Sequence, residues 1–422
     1  NMLKNYAINF VDNIEKKLSL SIQKKTNSVT FKLEKVLKAF SDAHLNVQHF
    51  ASLTGSGHGD LGRDKIDKIF ADVLQAEKAA VRLQLVSGTH AIASSLFGVL
   101  RPGDNFLSIT GRPYESLEEV IGLRGTGQGS LIDFGISYEE ISLKNDGNID
   151  FLALEKALNI PRKLIFIQRS CGYTWRPSLS IDVIKDICSL CHKMQPNCIC
   201  FVDNCYGEFV QNKEPTAVGA DLIAGSLIKN LGGTIVPTGG YIAGKAGLVD
   251  KACCRLTAPG IGSEGGITFN LNRTILQGLF LAPQMVAEAL IGAEIISTAF
   301  SDLGFQVMPS SGSMRADLIQ VVRIGDPKIL QMICRSFQEK SPIGSFLDPI
   351  PSPMPGYENS LVMAGGTFVD GSTSEFSADA PMKPPFDLFI QGGSHRSHVK
   401  IALIHALSNL FQAGFIKLPQ NG

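Results

Sequence analysis

The chain is 422 residues long, with 44% hydrophobic and 18% charged residues, a composition typical of an ordinary globular protein. This length exceeds what one small core needs, so it predicts two domains or one large domain with an appendage. Lysine and arginine total 39, as do aspartate and glutamate, so no basic surplus indicates nucleic acid as a partner. Charge alone indicates no other partner either.

Two further features concern the compartment. The opening "NMLKNYAINFVDNIEKKL" lacks the apolar centre of a signal peptide, and we expect no apolar run of the ~20 residues that span a bilayer. We therefore expect a cytoplasmic protein that does not contact a membrane. The chain has nine cysteines, an odd number, and five of them lie between Cys188 and Cys205. Without a secretory signal, disulfides are not expected.

The first sixty residues predict a helical arm. "NYAINFVDNIEKKLSLSIQKK" and "FKLEKVLKAFSDAHL" repeat apolar residues every three to four positions, and no strand pattern accompanies them. We therefore assign residues 1–60 to an arm that packs on the rest of the protein.

From Arg63 to about Gly244, short apolar segments alternate with amphipathic ones. "AAVRLQLVS", "NFLSIT", "KLIFIQ", "CICFVDN" and "LIAGSLIKN" are typical of buried strands, and the segments between several of them are typical of helices. This alternation predicts an α/β domain with a largely parallel sheet covered on both faces. Ligands of such sheets bind at the carboxyl ends of the strands.

The remainder predicts a smaller domain. "LAPQMVAEALIGAEIISTAFSDLG" is typical of a long helix, and the strand-like "ADLIQVVRI" and "SLVMAGGTFV" follow it among proline-rich loops. We place a large domain at residues 61–300 and a smaller α+β domain at residues 301–422.

Side chains that could bind a ligand or take part in a reaction follow four of the predicted strands. Ser87, Gly88 and Thr89 lead from the first strand into a helix, where free amides could hold a phosphate, although an ordinary helix cap fits equally well. Tyr114 follows the next strand, and alone it is more typical of packing. Asp203 and Lys229 follow two later strands, where a charge is costly without a partner.

Taken together, these four sites indicate pyridoxal phosphate as the cofactor. The glycine turn would take the phosphate, the aromatic ring would stack on the pyridine, and the carboxylate would keep the pyridine nitrogen protonated. The lysine would form the Schiff base. The combination is far more specific than any of its parts.

The same residues resemble the fold type I pyridoxal phosphate enzymes of the cystathionine and methionine gamma-lyase superfamily. The chain is most similar to a bacterial branch known for aluminium resistance or as methionine gamma-lyase family proteins. Motifs that carry the resemblance extend from about residue 50 to 400: "VSGTHAI", "GRPYESLEEVIGLRG", "FVDNCYGEF", "GADLIAGSLIKN", "PTGGYIAG", "TAPGIGSEGG", "MPGY", "AGGTFVDGST" and "SADAP". The resemblance implies a mostly parallel sheet of seven strands and a homodimer or homotetramer with active sites near subunit interfaces.

The resemblance also implies roles for individual residues. Lys229 would hold the cofactor covalently, Asp203 would pair with its ring nitrogen, and Tyr114 would stack on the ring and donate a proton. The phosphate would contact four residues: Ser87, Gly88, Thr89 and Ser226. Candidates for binding the substrate carboxylate are three arginines: Arg169, Arg315 and Arg396.

One segment departs from the family pattern. "TGSGHGDLGRD" occupies the place where related enzymes reach into a neighbouring subunit's site, usually with tyrosines. Here Ser56 and His58 stand at or near those positions, and Arg63 remains a candidate for such a contact.

The implied activity is a carbon-sulfur lyase that performs beta- or gamma-elimination on a sulfur-containing amino acid, as methionine gamma-lyase or cystathionine beta-lyase does. A pyridoxal phosphate aminotransferase and a non-catalytic regulator that binds the cofactor are the alternatives. A nicotinamide oxidoreductase is a weak rival, because "PTGGYIAGKAG" lacks the strand-GxGxxG-helix order.

The cysteines suggest one more alternative. "CSLCH" matches a haem-attachment pattern, and a zinc site could be built from four cysteines: Cys188, Cys191, Cys198 and Cys200. One pair falls in a predicted helix and the other in a predicted buried strand, with a short interval between them. Small core cysteines are the better interpretation, and we predict no metal site.

Overall fold

The computed structural model describes residues 2–417 and contains two β-sheets flanked by α-helices. Asn1 and residues 418–422, at the ends of the predicted ranges, lie outside the described part of the chain. The larger sheet has seven strands. They are β1 (Lys78–Arg82), β2 (Asn105–Ser108), β3 (Ser137–Glu140), β4 (Leu164–Gln168), β5 (Ile199–Asp203), β6 (Leu222–Ser226) and β7 (Gly240–Gly244).

The strand order of this sheet is β1-β7-β6-β5-β4-β2-β3, and β7 alone runs antiparallel to its neighbours. Successive residues of the strands face two different hydrophobic clusters, as the two-residue period of a strand requires. Ile165 and Val202, for example, join one cluster, while Phe166 and Phe201 join the other. The predicted sheet, mostly parallel and covered on both faces, is confirmed.

The described residues form eleven α-helices. They are α1 (Met2–Lys17), α2 (Ser19–Asp42), α3 (Leu61–Val73), α4 (Gly88–Val99), α5 (Glu115–Ile121), α6 (Phe151–Ala157), α7 (Ile181–Met194), α8 (Ala246–Leu256), α9 (Asn272–Asp302), α10 (Pro327–Gln338) and α11 (Arg396–Gln412). Side-chain caps fix where several of them begin, since Asp60, Ser87 and Ser180 each accept a hydrogen bond from a backbone amide in the first turn.

The smaller sheet belongs to the C-terminal part of the chain and is antiparallel throughout. Its order is β10-β11-β12-β9-β8. The strands are β8 (Gln306–Met308), β9 (Gln320–Arg323), β10 (Leu361–Ala364), β11 (Ser377–Pro381) and β12 (Asp387–Gln391). Helices α10 and α11 pack with this sheet in a separate hydrophobic cluster, so the region is α+β as expected.

The long helix α9 belongs to both hydrophobic clusters. Residues from Ile275 to Leu290 pack with the larger sheet, whereas residues from Ile291 to Phe300 pack with the smaller one. The arm divides in the same way: α1 packs with the small-domain cluster and α2 largely with the large-domain cluster. By length and composition α9 could cross a membrane, which the sequence analysis overlooked, but 78% of its most apolar window is buried in the protein, as in a core helix.

Some elements differ from the sequence-based prediction. Strand β7 coincides with the glycine-rich "GGYIAG", for which no strand was predicted, and β3 and α8 were not predicted either. The segment "LIAGSLIKN" was predicted to be a strand up to its end, but β6 ends at Ser226. Lys229 therefore lies three residues beyond the strand, where its side chain leaves the core instead of crossing it.

Candidate active site

Lys229 lies in the turn that follows β6, at the carboxyl edge of the larger sheet. Its Nζ donates a hydrogen bond to Tyr206 Oη over 3.1 Å and lies 4.2 Å from the centre of the Tyr206 ring. The ring face stabilises an ammonium group that is half withdrawn from water. The lysine is thus held in place by one aromatic side chain, with no carboxylate within salt-bridge distance of its Nζ among the described residues.

Tyr206 itself has an unusual backbone. Its φ is +71°, in the left-handed region that residues other than glycine seldom adopt. Such strain persists where the surroundings hold it, and it is concentrated at functional sites. Sequence analysis quoted this tyrosine within "FVDNCYGEF" but assigned it no role, although its position three residues after Asp203 was the available signal.

Asp203 is the last residue of β5 and is buried. Its Oδ1 accepts a hydrogen bond from the Cys205 amide over 3.1 Å. Burial raises the pKa of Asp203 to about 6, while the Cys205 hydrogen bonds and the charges of Lys229 and Arg176 act in the opposite direction. The carboxylate therefore lies near Lys229 and is poised to gain from a further cationic partner.

The turn at Ser87, Gly88 and Thr89 forms a cradle beside Asp203. Ser87 Oγ caps α4 by accepting from the His90 amide, so the ordinary-cap interpretation also holds. The amides of Gly88 and Thr89, in the first turn of the helix, have no acceptor within it. A side chain at Gly88 would lie 3.0 Å from Cys205 Sγ and 3.4 Å from Ser226 Cβ, so the close packing of this turn favours glycine. The cradle and Ser226 are thus adjacent.

Tyr114 lies at the start of α5 and points toward the same place. Its Oη is 3.1 Å from Thr89 Oγ1, and its amide donates to Gln168 Oε1 over 2.9 Å. Burial, followed by the negative charge of Asp203, raises the pKa of Tyr114 well above its usual value. The phenol therefore keeps its proton at neutral pH.

Side chains of the small domain lie close to these residues, and the space between the two groups is called the cleft. Asp379 on β11 accepts hydrogen bonds from Tyr173 Oη (2.9 Å) and Gln391 Nε2 (3.4 Å), and Lys229 lowers its pKa against the larger effect of burial. Tyr357 lies beside Tyr173 with ring centres 5.6 Å apart. Sequence analysis quoted "MPGY" and "SADAP" but did not single out Tyr357 or Asp379, because neither stands at a strand end of the larger sheet.

The three arginine candidates are all engaged elsewhere. Arg169 is buried beneath the cleft and donates to the side-chain oxygen of Asn204 and to the Gly207 carbonyl. Arg315 pairs with Glu294 over 2.9 Å and Arg396 with Glu288 over 2.6 Å. A role in binding a substrate carboxylate stays a prediction for each, and each would have to leave an existing partner.

The segment around Ser56 lies on the surface of this chain. Ser56 and His58 are exposed, whereas Arg63 is buried and donates to the carbonyls of Gly57 and Gly266. The arginine therefore anchors the loop to its own chain. A contact of this segment with another subunit's site remains a prediction.

The cysteines of the zinc hypothesis lie in the core, as their small apolar character predicts. Cys188, Cys191, Cys198 and Cys200 all belong to the hydrophobic cluster under the larger sheet. His192, Cys200 and Asp221 have their potential ligand atoms within 4.8 Å of one another. Asp221 already binds His192 (2.8 Å), Lys245 (2.7 Å) and the Cys200 amide (2.8 Å), so it is satisfied as a structural group.

The residues that meet in the cleft suit pyridoxal phosphate. The glycine turn at Gly88 and the free amides of α4 suit a phosphate. Asp203, whose pKa burial raises, gains from a pyridine nitrogen that carries a proton. Lys229, held by a ring face, suits an aldehyde. Six of the predicted site residues thus lie close together, and their roles stay predictions: Lys229, Asp203, Tyr114, Gly88, Thr89 and Ser226.

This architecture is that of the fold type I pyridoxal phosphate proteins. The pyridoxal phosphate-dependent protein YhfS from Escherichia coli shares it, with a TM-score of 0.60 and 16% identity over 92% of this chain and 96% of that one. The chain belongs to the methionine gamma-lyase family, whose sequence pattern matches residues 7–411.

Nearer relatives align with almost the whole chain. A carbon-sulfur lyase from Clostridium novyi, described as involved in aluminium resistance, is 43% identical, with a TM-score of 0.92, and the match covers 97% of this chain and 98% of that one. The uncharacterised protein YnbB from Bacillus subtilis is 46% identical over 383 residues, which is 90% of this chain and 91% of YnbB. The resemblance inferred from the motifs is confirmed.

Proposed function

We propose that the protein is a pyridoxal phosphate-dependent carbon-sulfur lyase that eliminates a thiol from the beta or gamma position of a sulfur-containing amino acid. The observation that carries the proposal is the convergence of Lys229, Asp203 and the Gly88 cradle on one cleft. The coarser statement, a lyase-type member of its family, rests on the sequence match.

Bound pyridoxal phosphate would supply an electron-withdrawing ring that makes the substrate's α-proton acidic. Lys229 would take that proton, because its Nζ reaches into the cleft from the strand edge beside Asp203. Asp203 would hold the proton on the ring nitrogen. The buried carboxylate is suited to this, since a cationic partner offsets the cost of burying its charge.

A leaving thiolate needs a proton from the protein. Burial raises the pKa of both Tyr114 and Tyr206 well above the usual value, so both phenols stay protonated at neutral pH. Tyr206 contacts Lys229 Nζ directly, and Tyr114 reaches the cradle through Thr89. We assign proton donation to Tyr114, with Tyr206 orienting the lysine.

We also propose a homodimer or homotetramer in the cytoplasm. The exposed segment at Ser56 and His58 would then meet another subunit, and light scattering coupled to size-exclusion chromatography measures the assembly. A role in aluminium resistance is suggested by relatives such as the Clostridium novyi lyase. Growth of a deletion strain in aluminium, with and without a Lys229→Ala copy, tests it.

The decisive experiment combines colour and products. The purified protein loaded with pyridoxal phosphate should be yellow, and borohydride should bleach it. The reduction attaches the cofactor permanently to the protein, and peptide mapping should find it on Lys229. Methionine, cystathionine, cysteine and homocysteine are then assayed for ammonia, keto acid and thiol. Lys229→Ala should abolish both readouts, whereas Lys193→Ala, an exposed lysine on α7, should change neither.

Other outcomes contradict the proposal in distinct ways. A keto acid with an aminated cofactor and no thiol would indicate an aminotransferase. Spectral shifts with amino acids but no product would indicate a regulator that only binds the cofactor. If the wild type shows no borohydride-sensitive colour, the cofactor assignment itself is wrong.

A further inference from the structure

The carboxylate of Asp379 is a buried charge in the cleft that the proposed lyase mechanism does not use. Asp379 lies on β11 with only 7% of its surface exposed. Its charge acts on three tyrosines of the cleft, since it helps to raise the pKa of each after the larger effect of burial: Tyr173, Tyr206 and Tyr357. Tyr173, which donates to Asp379, and Tyr206, which contacts Lys229, pack on the same hydrophobic cluster, so Asp379 lies close to Lys229.

The hydrogen bonds of Asp379 leave one of its oxygens available. Tyr173 Oη and Gln391 Nε2 both donate to Oδ2, and no described residue donates to Oδ1. Oδ1 is not sealed inside the protein and can be reached from solvent. The carboxylate as a whole is mostly withdrawn from water, and its two hydrogen bonds both go to Oδ2. A donor that reaches Oδ1 would compensate more of the cost of burying the charge.

The protein offers Asp379 little positive charge. Among the described residues, Lys229 is the cation whose charge lowers the pKa of Asp379. The proposed function commits Lys229 to the cofactor, and the arginines Arg169, Arg315 and Arg396 have partners of their own. A cation supplied by the ligand would therefore be a favourable partner for this carboxylate.

The surroundings suit an ammonium group. Tyr173, Tyr357 and Tyr206 place aromatic rings around the carboxylate, and Tyr206 already receives the Lys229 ammonium on its ring face at 4.2 Å. Rings and a carboxylate together bind a desolvated amine well, since cation-π attraction adds to the ion pair.

We propose that Asp379, oriented by Tyr173, binds an ammonium group on the substrate's side chain. This inference rests on the proposed lyase function and names its substrate class: thioether amino acids that carry a second amino group beyond the sulfur. Asp379 is then a specificity-determining residue, and an apolar thioether such as methionine offers its carboxylate no cationic partner.

Two matched substrates test this. S-(2-aminoethyl)-L-cysteine and S-propyl-L-cysteine have side chains of the same length and differ by a terminal ammonium in place of a methyl group. For the wild-type holoenzyme, kcat/KM for thiol release should favour the aminoethyl compound by about tenfold or more, the equivalent of one charge-assisted contact. Calorimetric titration with lysine and 2-aminoheptanoic acid, in which a methylene group replaces the sulfur, should give the same order of Kd.

Variants then locate the effect. Asp379→Asn should reduce the preference between the paired ligands by about tenfold, Asp379→Glu should restore part of it, and Tyr173→Phe should reduce it less than Asp379→Asn does. Asp186→Asn, an exposed acid on α7, should leave the preference unchanged. Circular dichroism and Tm identify a variant that fails to fold, and the wild-type comparison decides the proposal without any variant.

The outcomes separate the two proposals. If the wild type releases thiol from both compounds with equal kcat/KM, or prefers S-propyl-L-cysteine or the acidic S-carboxymethyl-L-cysteine, the Asp379 inference is overturned while the lyase function stands. If it releases thiol from neither and lacks a borohydride-sensitive colour, the lyase function fails first. A preference that survives Asp379→Asn intact also overturns the inference.

Discussion

The two walls of the cleft solve different problems. The large-domain wall consists of strand ends and a helix start, where Lys229, Asp203 and Gly88 are positioned by backbone that is itself buried. The small-domain wall consists of side chains such as Asp379 and Tyr357, which come from the face of an antiparallel strand and from a loop. The first wall suits a fixed cofactor, and the second is free to vary with the substrate.

The strongest way to break this contrast is to neutralise one aspartate in each wall. Asp203→Asn should lower kcat by about 10²-fold for every substrate, because it removes a charge that stabilises the reacting ring system. Asp379→Asn should instead change the ranking of substrates. Steady-state kinetics on the S-aminoethyl and S-propyl pair measures both, and a uniform loss in Asp379→Asn would show that the walls do not divide these tasks.

A second test concerns the rigidity of the large-domain wall. In Gly225→Ala the new methyl group would lie 2.7 Å from Glu208 Oε1 and 2.7 Å from Tyr241 Cε1, both of them buried. Overpacking of this kind should lower the free energy of unfolding by about 1–3 kcal/mol, as measured by urea denaturation.

Gly247→Ala is the matched control for that substitution. A methyl group there meets no atom within 4 Å, and Gly247 lies in α8, where alanine favours the helix. The control should be neutral or slightly stabilising. Equal destabilisation of both variants would contradict the idea of a tightly packed floor.

Glu208, which is buried in the large-domain wall, also predicts that the stability of the protein depends on pH. Burial raises the pKa of Glu208 to about 8 from its ordinary 4.5, so the folded protein keeps a proton that the unfolded chain releases. Between these values stability should fall as pH rises, by roughly 1.4 kcal/mol per pH unit from this group alone. Glu208→Gln should flatten that slope in Tm measurements from pH 5 to 8, at roughly the ionic strength of the wild-type series. A slope unchanged by the substitution would show that Glu208 is charged in the folded state.

The smallest effects should come from removing one hydroxyl on each side. Tyr206→Phe and Tyr173→Phe each delete one hydrogen bond, to Lys229 and Asp379 respectively, worth about 1 kcal/mol or roughly fivefold in rate. Tyr206→Phe should shift the pH profile of kcat, since it changes the surroundings of the lysine. Tyr173→Phe should change KM for the aminoethyl compound instead, and the reverse assignment would invert the roles of the two walls.

The sequence singles out candidate residues where a charge follows directly on an apolar strand. Asp203 and Lys229 were chosen in this way, since a charge next to a buried segment is conspicuous. The structure brings the two side chains close together, and their roles stay predictions. Strand β7 was missed because its glycines, which allow close packing at Gly240 and Gly244, are more typical of a loop. Asp379 lies inside a short strand of the second domain, and only the three-dimensional fold brings it to the cleft. The contact of Lys229 with Tyr206 depends on a left-handed backbone that no local pattern signals.

Helix α9 has a mechanical consequence. One rigid rod of 31 residues carries core side chains for both sheets, so neither domain can lose its core without exposing half of that rod. The helix therefore couples the stability of the two domains and does not act as a hinge between them. Heat or denaturant should melt both domains in one cooperative step. Because the same helix packs with both sheets, the distance between the two walls of the cleft should change little.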